Sequence, residues 1–333
     1  MNKKLYTSKP VVSAFPIFAN VLSIITKHKD AQNWIFSNFI HVSSSPKLYS
    51  LTFYDCWNYV RNCPLLIHNT VDRWIIEEKW KNDINAFLID AINHESYAYF
   101  YLDEAKLKNT SVSQMVESFT HDVMVFGYDL QEKTFNIAGN LINGKYVEST
   151  CTFDEMELAF AHANLSNDWF HGIKLLRVNE NEQYRIHKPT IKQAFSDYCN
   201  SVNIAQARGN LNLVDEVFGL EVYDILIEYI EKSCKENSFE LNFMPFYFMW
   251  EHKDCLLARF DYLIQEGILQ QNETSDHIRN ELSHLVQRAL ILRNSIYKYA
   301  LLNDQSKLLQ GIKRLEEMRS IEQEVIPMLC ELL

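Results

Sequence analysis

The spacing of apolar residues changes kind near residue 188, and that change bounds the folds open to this chain. Up to His187, short runs alternate with turn residues or sit between brief helical stretches. Beyond Pro189 almost no strand pattern remains. There Ile278, Leu282, Leu285, Ala289, Leu292, Ile296 and Tyr299 recur at i, i+3/i+4 spacing, the pattern of one buried helix face. Helices are expected at about 212–235, 246–268, 275–302 and 304–331, with Asn303-Asp304 as a short break between antiparallel neighbours. The expected architecture is α+β: a mainly antiparallel sheet domain with packed helices over 1–188, then an all-α helical bundle over 189–333. A length of 333 residues agrees with two domains. Phe246, Phe248, Met249, Trp250 and Leu256 exceed what one bundle seam needs, so part of that surface is expected to pack on the first domain or on a second copy, as a homodimer.

Within the first half, Pro16 suits the first turn of a helix over about 18–29, with Ala19, Leu22 and Ile25 inward. Residues 30–39 are apolar and of ambiguous type. Ser43-Ser44-Ser45-Pro46 reads as a loop, 48–53 as a short strand, and 56–64 is ambiguous. One helix is expected over 71–92, from Ile75, Ile76, Trp80, Ile84, Phe87, Leu88 and Ala91. The run SYAYFYL at 96–102 is bulky on both sides, as in a central strand. Asn143-Gly144 between extended runs is a hairpin signal, and Thr152-x-x-Glu155 is a capping box opening a helix to about 163. Two further strands are expected at 173–178 and 184–187.

Glycine and proline number only 8 and 7, which argues against a loop-rich all-β fold and against phosphate-cradling glycine loops. Neither G-x-x-x-x-G-K-[ST] nor G-x-G-x-x-G occurs. A net charge of −11 leaves no basic stripe for nucleic acid and disfavours anionic membranes. No apolar run has transmembrane length. The basic-then-apolar start is interrupted by Asn20 and Ser23, so it reads as the first helix rather than a signal peptide. Seven dispersed cysteines without a C-x-x-C pair fit reduced thiols of a cytoplasmic protein, with no disulfide framework, metal site or cofactor implied.

The stretch with chemical content is 121–140, HDVMVFGYDLQEKTFNIAGN. It places a histidine at the start of one strand and a polar residue at the end of the next. That is the base half of a cysteine–histidine site, in which an Asp or Asn fixes the imidazole tautomer. His121 is the candidate base and Asn140 the candidate orienting group; a histidine capping a strand has the same signature. Cys56 and Cys63 are the candidate nucleophiles ahead of His121, each also consistent with a small buried hydrophobe. Asp122 points to the opposite face of an extended segment and is a poor partner for His121. Glu251-His252 and Glu316-Glu317 read as solvated helix faces.

With FPIFANVLSI, NCP, HDVMVFGYDLQEKTFNIAGNLINGKY and FDEMELAF in view, the chain resembles the family of the butirosin biosynthesis acyltransferase. The helical half is similar to that family at VFGLEVYDIL, FMWEHKDCLLARFDYL and LRNSIYKYA. The resemblance covers most of the chain. It implies a papain-like N-terminal domain, distantly similar to bacteriocin-processing peptidases. The activity it implies is amide-forming transfer of an acyl group from a carrier-protein thioester to an amine or peptide, in antibiotic or nonribosomal peptide biosynthesis. His121 matches the family histidine. Gly139 stands where relatives often show Asp, and the first helix carries no cysteine, so the resemblance implies a degenerate Cys-His-Asp site. Three readings follow: an acyltransferase with His121 as base, acting through a cysteine or by direct aminolysis; a catalytically inactive accessory protein of a biosynthetic cluster; and a thioester or amide hydrolase.

Overall fold

The computed structural model describes residues 2–54, 62–207, 209, 215–235, 241–302 and 305–333. In chain order the first elements are β1 (Asn2–Lys4), α1 (Pro16–Ile25), α2 (Ala31–Ser37), β2 (Val42–Ser45), β3 (Ser50–Phe53), β4 (Leu66–Val71), α3 (Arg73–Trp80), α4 (Ile84–Asn93) and β5 (Tyr97–Asp103). Then come β6 (Thr120–Asp129), β7 (Thr134–Ile142), β8 (Lys145–Thr152), α5 (Phe153–Ala161) and β9 (Ile173–Val178). The remainder is α6 (Lys188–Cys199), α7 (Ile204–Ala207), β10 (Val217–Phe218), α8 (Val222–Lys235), α9 (Met244–Gln265), α10 (Glu273–Leu302) and α11 (Gln305–Leu332). The fold is α+β with antiparallel sheets and a helical C-terminal region.

Two compact units are present: residues 1–32 with 58–184, and 33–57 with 185–333. The expected division, 1–188 and 189–333, treated each domain as one continuous stretch. The segment 33–57 departs from that, and its strands show why. β2 pairs on one side with β3 and on the other with β10, and Phe53 of β3 meets Phe248 of α9 at 4.6 Å. The surplus apolar positions that begin α9 thus have a partner inside their own unit; Phe246 likewise stacks on Tyr229.

The first unit is built on a seven-stranded antiparallel sheet ordered β4-β9-β5-β6-β7-β8, with β1 pairing the far end of β6. β5 pairs with β6 over 120–125 and β1 takes over from 127 to 129, across a bulge between Val125 and Gly127. A Cβ at Gly127 would lie 2.8 Å from the Lys3 carbonyl oxygen, so only glycine lets β1 come this close. Alternation assigns the faces. Phe100 of β5 meets Phe160 of α5, whereas Tyr99 bonds Asp122 on the face that α1 covers.

Several local expectations are corrected. The helix expected over 71–92 is two helices, because Lys81 and Asn82 take left-handed φ values of 54° and 64° and Asp83 caps the second through Ala86 N–H. The apolar spacing runs on across the break, where Trp80 and Phe87 pack edge to face at 5.1 Å. Ser43-Ser44-Ser45 is strand, not loop, because both its edges are paired. Residues 184–187 are not strand, and α6 begins one residue later at Lys188, with Pro189 in its first turn. Asn143-Gly144 forms the two-residue turn, with φ of 50° and 68°. The Thr152–Glu155 capping box is present with both reciprocal bonds.

The second unit holds a buried polar cluster. The Lys253 ammonium donates to both Glu322 oxygens at 2.8 and 3.0 Å, with the two side chains 1% and 0% exposed. Tyr198 and Tyr223 hydroxyls also donate to Glu322, at 3.0 and 2.5 Å. Nδ1 of His252 accepts from Lys253 at 3.0 Å, so its proton sits on Nε2, which donates to the Ile40 carbonyl at 2.9 Å. Burial and the adjacent ammonium hold the His252 imidazole well below its ordinary range. Glu251-His252, read from sequence as a solvated face, is therefore interior. The cluster ties α6, α8, α9 and α11 together.

Candidate functional site

The site lies where β5 and β6 end together. Asp103, the last residue of β5, folds the chain into a short 3₁₀ turn at Glu104–Lys106 by accepting the Ala105 N–H at 3.2 Å. The same carboxylate oxygen accepts the Phe119 N–H at 2.8 Å, and Glu104 N–H bonds the Phe119 carbonyl at 2.8 Å. These bonds place Glu104 and Phe119 side by side at the entry to β6. The Phe119 ring then stacks on the His121 imidazole, with centroids 5.3 Å apart and planes 15° apart.

Two carboxyl groups converge on one nitrogen of that imidazole. His121 Nδ1 is 3.4 Å from Asp122 Oδ1 and 3.8 Å from Glu104 Oε2, and neither approach has hydrogen-bond geometry. Nδ1 is buried although the side chain as a whole is 31% exposed, so the exposed part of the ring lies away from the carboxyls. Asp122 is held from behind by the Tyr99 hydroxyl, which donates to its other oxygen. Burial, with the Asp122 charge, keeps that phenol protonated far above its ordinary range. Behind Tyr99 stands Asn20 of α1, whose Oδ1 accepts from Tyr146 at 2.9 Å. Burial first, then the Asp122 charge, push the Glu104 carboxyl from 4.5 up to about 8.

The other expected site residues are placed elsewhere. Asn140 donates its amide to the carbonyls of Ser13, Ala14 and Gly144 at 3.1–3.2 Å, so it pins the chain entering α1. Asn140 therefore does not orient His121. The physical reason is register: Ala138 pairs with Met124, so position 140 shares the α1 face with Asp122, and His121 starts from the other face. Gly139 shares the face of His121 but offers no carboxylate. Cys63 is buried, and burial pushes its thiol up to about 12, the opposite of an activated nucleophile. Cys56 lies outside the described residues. Among the described residues, no His121 contact is to a cysteine.

Asp122 was set aside in the sequence as facing the wrong way. At the strand end its side chain and that of His121 lean toward each other, which alternation does not reveal. Glu104 escaped sequence reading as one acidic residue in a polar turn. Its only signal is position: it directly follows the last residue of a strand whose neighbour begins with the histidine. An open depression bordered by Lys108, Thr110, Ser111, Met115, Ile142 and Asn143 does not include the His121 ring. Among the described residues no group of three or more His, Cys, Asp or Glu is disposed to hold a metal ion, and no helix is long and apolar enough to cross a membrane. No protein-family model matches the chain, and no curated protein is significantly similar to it.

Proposed function

We propose that this chain is an amide-forming acyltransferase of antibiotic or nonribosomal peptide biosynthesis, acting in the cytoplasm through a papain-like N-terminal unit, with His121 as general base and no cysteine nucleophile. The observation that carries the reading is His121 itself: Nδ1 lies between carboxyls while the rest of the ring faces outward. A carboxylate on Nδ1 fixes the tautomer that leaves Nε2 bare, the form that takes a proton. Asp122, anchored by Tyr99, supplies that carboxylate in place of one at position 139. The resemblance centred on 121–140 supplies the reaction class.

In the proposed step, an amine nitrogen attacks the carbonyl carbon of a carrier-protein thioester. The amine proton passes to Nε2, the carbon–sulfur bond breaks, and the carrier thiolate recovers the proton from His121. Thiolate is a good enough leaving group that no acyl-enzyme is required. The high Cys63 thiol range supports direct aminolysis over a covalent route through that residue.

The test is incubation of the full chain with acyl-, aminoacyl- or peptidyl-loaded carrier proteins and a panel of amines, read by mass spectrometry. Amide should form, and His121→Ala should slow it by roughly 10²–10⁴, the worth of a general base, without loss of fold. Free acid as the sole product would assign a hydrolase instead. Carrier-protein binding with no turnover, equal in His121→Ala, would assign an inactive accessory protein.

A further inference from the structure

The acidity of the whole chain conceals one basic segment in the second unit. From Arg288 to Arg314 the sequence holds six cations, Arg288, Arg293, Lys298, Lys307, Lys313 and Arg314, against the single acid Asp304. That stretch is net +5, so the remainder stands at −16 for a total of −11. The same stretch carries exposed apolar side chains. Ile291, Tyr297, Leu301, Leu302 and Leu309 all stand out to solvent, Leu301 and Leu302 at 70% and 71%. Among the described residues of the second unit, the other large apolar side chains this exposed are Leu48 and Val202, which lie far from it in sequence. Apolar exposure is therefore gathered where the positive charge is.

The α10–α11 hairpin brings these residues together at one end. Arg288 pairs with Glu317, and a Cβ at Gly311 would lie 3.3 Å from Leu292 and 3.7 Å from Ile296, which sets the antiparallel register. Arg314 is thereby level with Ile291, and Leu309 with Tyr297. On α10, Ala289, Leu292 and Ile296 are buried, so Ile291, Asn294, Lys298 and Leu301, at i, i+3/i+4 spacing, run down the opposite, exposed face. That stripe is about 15 Å long, roughly three turns. Arg288 and Lys313 are occupied by Glu317. Arg293 lies over the Trp250 ring at 4.4 Å, and Arg314 donates to the Gln310 carbonyl. Among the described residues neither of these two, nor Lys298, meets a carboxylate.

We propose that this end of the hairpin is a docking surface for an acidic amphipathic helix of a partner protein. The helix lays its apolar face on Ile291, Leu301 and Leu302 and sets its flanking carboxylates against Lys298 and Arg314. Such a helix reads apolar anchors at i, i+3/i+4 spacing, and a cationic border steers it and fixes its register. Charge selects this occupant over others. A second copy docked hairpin to hairpin would set +5 against +5. An anionic membrane would repel the −16 carried by the rest of the chain. A nucleic-acid backbone would neutralise the cations but leave Leu301 and Leu302 in water. An acidic helix with one apolar face satisfies both halves of the surface at once. The surface is independent of the reaction proposed at His121.

The experiment is fluorescence anisotropy of a labelled synthetic helix, leucine on one face and glutamate on the other, titrated with the full chain. The peptide should bind saturably, and more weakly as salt is raised from about 50 to about 300 mM. Leu301→Ser/Leu302→Ser and, separately, Lys298→Glu/Arg314→Glu should each weaken binding by roughly tenfold or more, as truncation of central contacts does. Leu158→Ser, at an exposed leucine of the first unit, and His121→Ala should both bind as the native chain does. Circular dichroism of each variant should match the native chain, because Lys298, Leu301 and Leu302 are exposed and Arg314 is only half-buried. Absence of binding, binding unaltered in both double variants, or equal binding of a peptide with lysine in place of glutamate overturns the proposal. So does tighter binding to phosphatidylserine vesicles than to the peptide, or a dimer in sedimentation that Leu301→Ser/Leu302→Ser abolishes.

Discussion

Tyr99 donates its hydroxyl to Asp122 inside the sheet, and the other oxygen of the same carboxylate lies 3.4 Å from the His121 imidazole. One phenol therefore secures both the stability of a buried acid and the aim of a histidine. Tyr99→Phe deletes the hydroxyl, and with it both the bond to Asp122 and the contact with Asn20. It should lower stability by about 1.5–3 kcal/mol, the range for a hydrogen bond to a charged group. In the proposed reaction it should also slow turnover, because Asp122 loses the bond that aims its carboxylate at His121. Urea unfolding and turnover measurements check the two parts; a stable variant with unaltered turnover would show that the phenol anchors nothing.

Asn140 gives a contrasting expectation. Its amide holds three backbone carbonyls at the entry to α1. Asn140→Ala should cost about 1–3 kcal/mol in urea unfolding. An orienting role would instead show as a rate loss of roughly 10⁴ with little change in stability.

Glu104 links stability to pH with a definite sign. Its carboxyl is raised from 4.5 in the unfolded chain to about 8 in the fold, so between those values the native state holds a proton that the unfolded state has lost. Stability must therefore fall as pH rises from 4.5 toward 8, and level off above. Glu104→Gln mimics the neutral acid and lacks this slope. The variant should match the native chain near pH 4.5 and exceed it above pH 8 by at most about 5 kcal/mol. Denaturation series at several pH values test this; a difference independent of pH would mean that the carboxyl is ionised and satisfied throughout.

The Lys253–Glu322 pair tests the second unit. Lys253→Met leaves Glu322 buried without its cation and should cost about 3–5 kcal/mol. Adding Glu322→Gln keeps acceptors for Tyr198 and Tyr223 while removing the stranded charge. The double variant should recover a substantial part of that loss, as seen in thermal or urea unfolding. Equal losses in the single and double variants would show that the charge itself was not the problem.

What the sequence made legible was local. The α10 face from Ile278 to Ile296 is buried as its spacing requires, and the Asn143-Gly144 turn and the Thr152 capping box follow from their own residues. Less legible were features decided at a distance. The second partner of Val42–Ser45, Val217–Phe218, is more distant in sequence than any local pattern reaches. Lys253 and Glu322 sit on helices whose spacing predicts which positions are inside but not that two inward positions are charged. At the site, strand alternation separated Asp122 from His121, whereas the end of a strand frees both side chains to approach.

The excursion of residues 33–57 into the second unit has a consequence for synthesis. β2 and β3 leave the ribosome early, yet β10 and α9, which complete their sheet and cover Phe53, come much later. At about 5–20 residues per second the hairpin waits roughly 10–40 s with an unpaired strand edge and an uncovered aromatic face. A nascent chain halted near residue 188 would carry that edge indefinitely. Holding chaperones should therefore engage this protein most strongly through residues 42–53, and release it when α9 emerges.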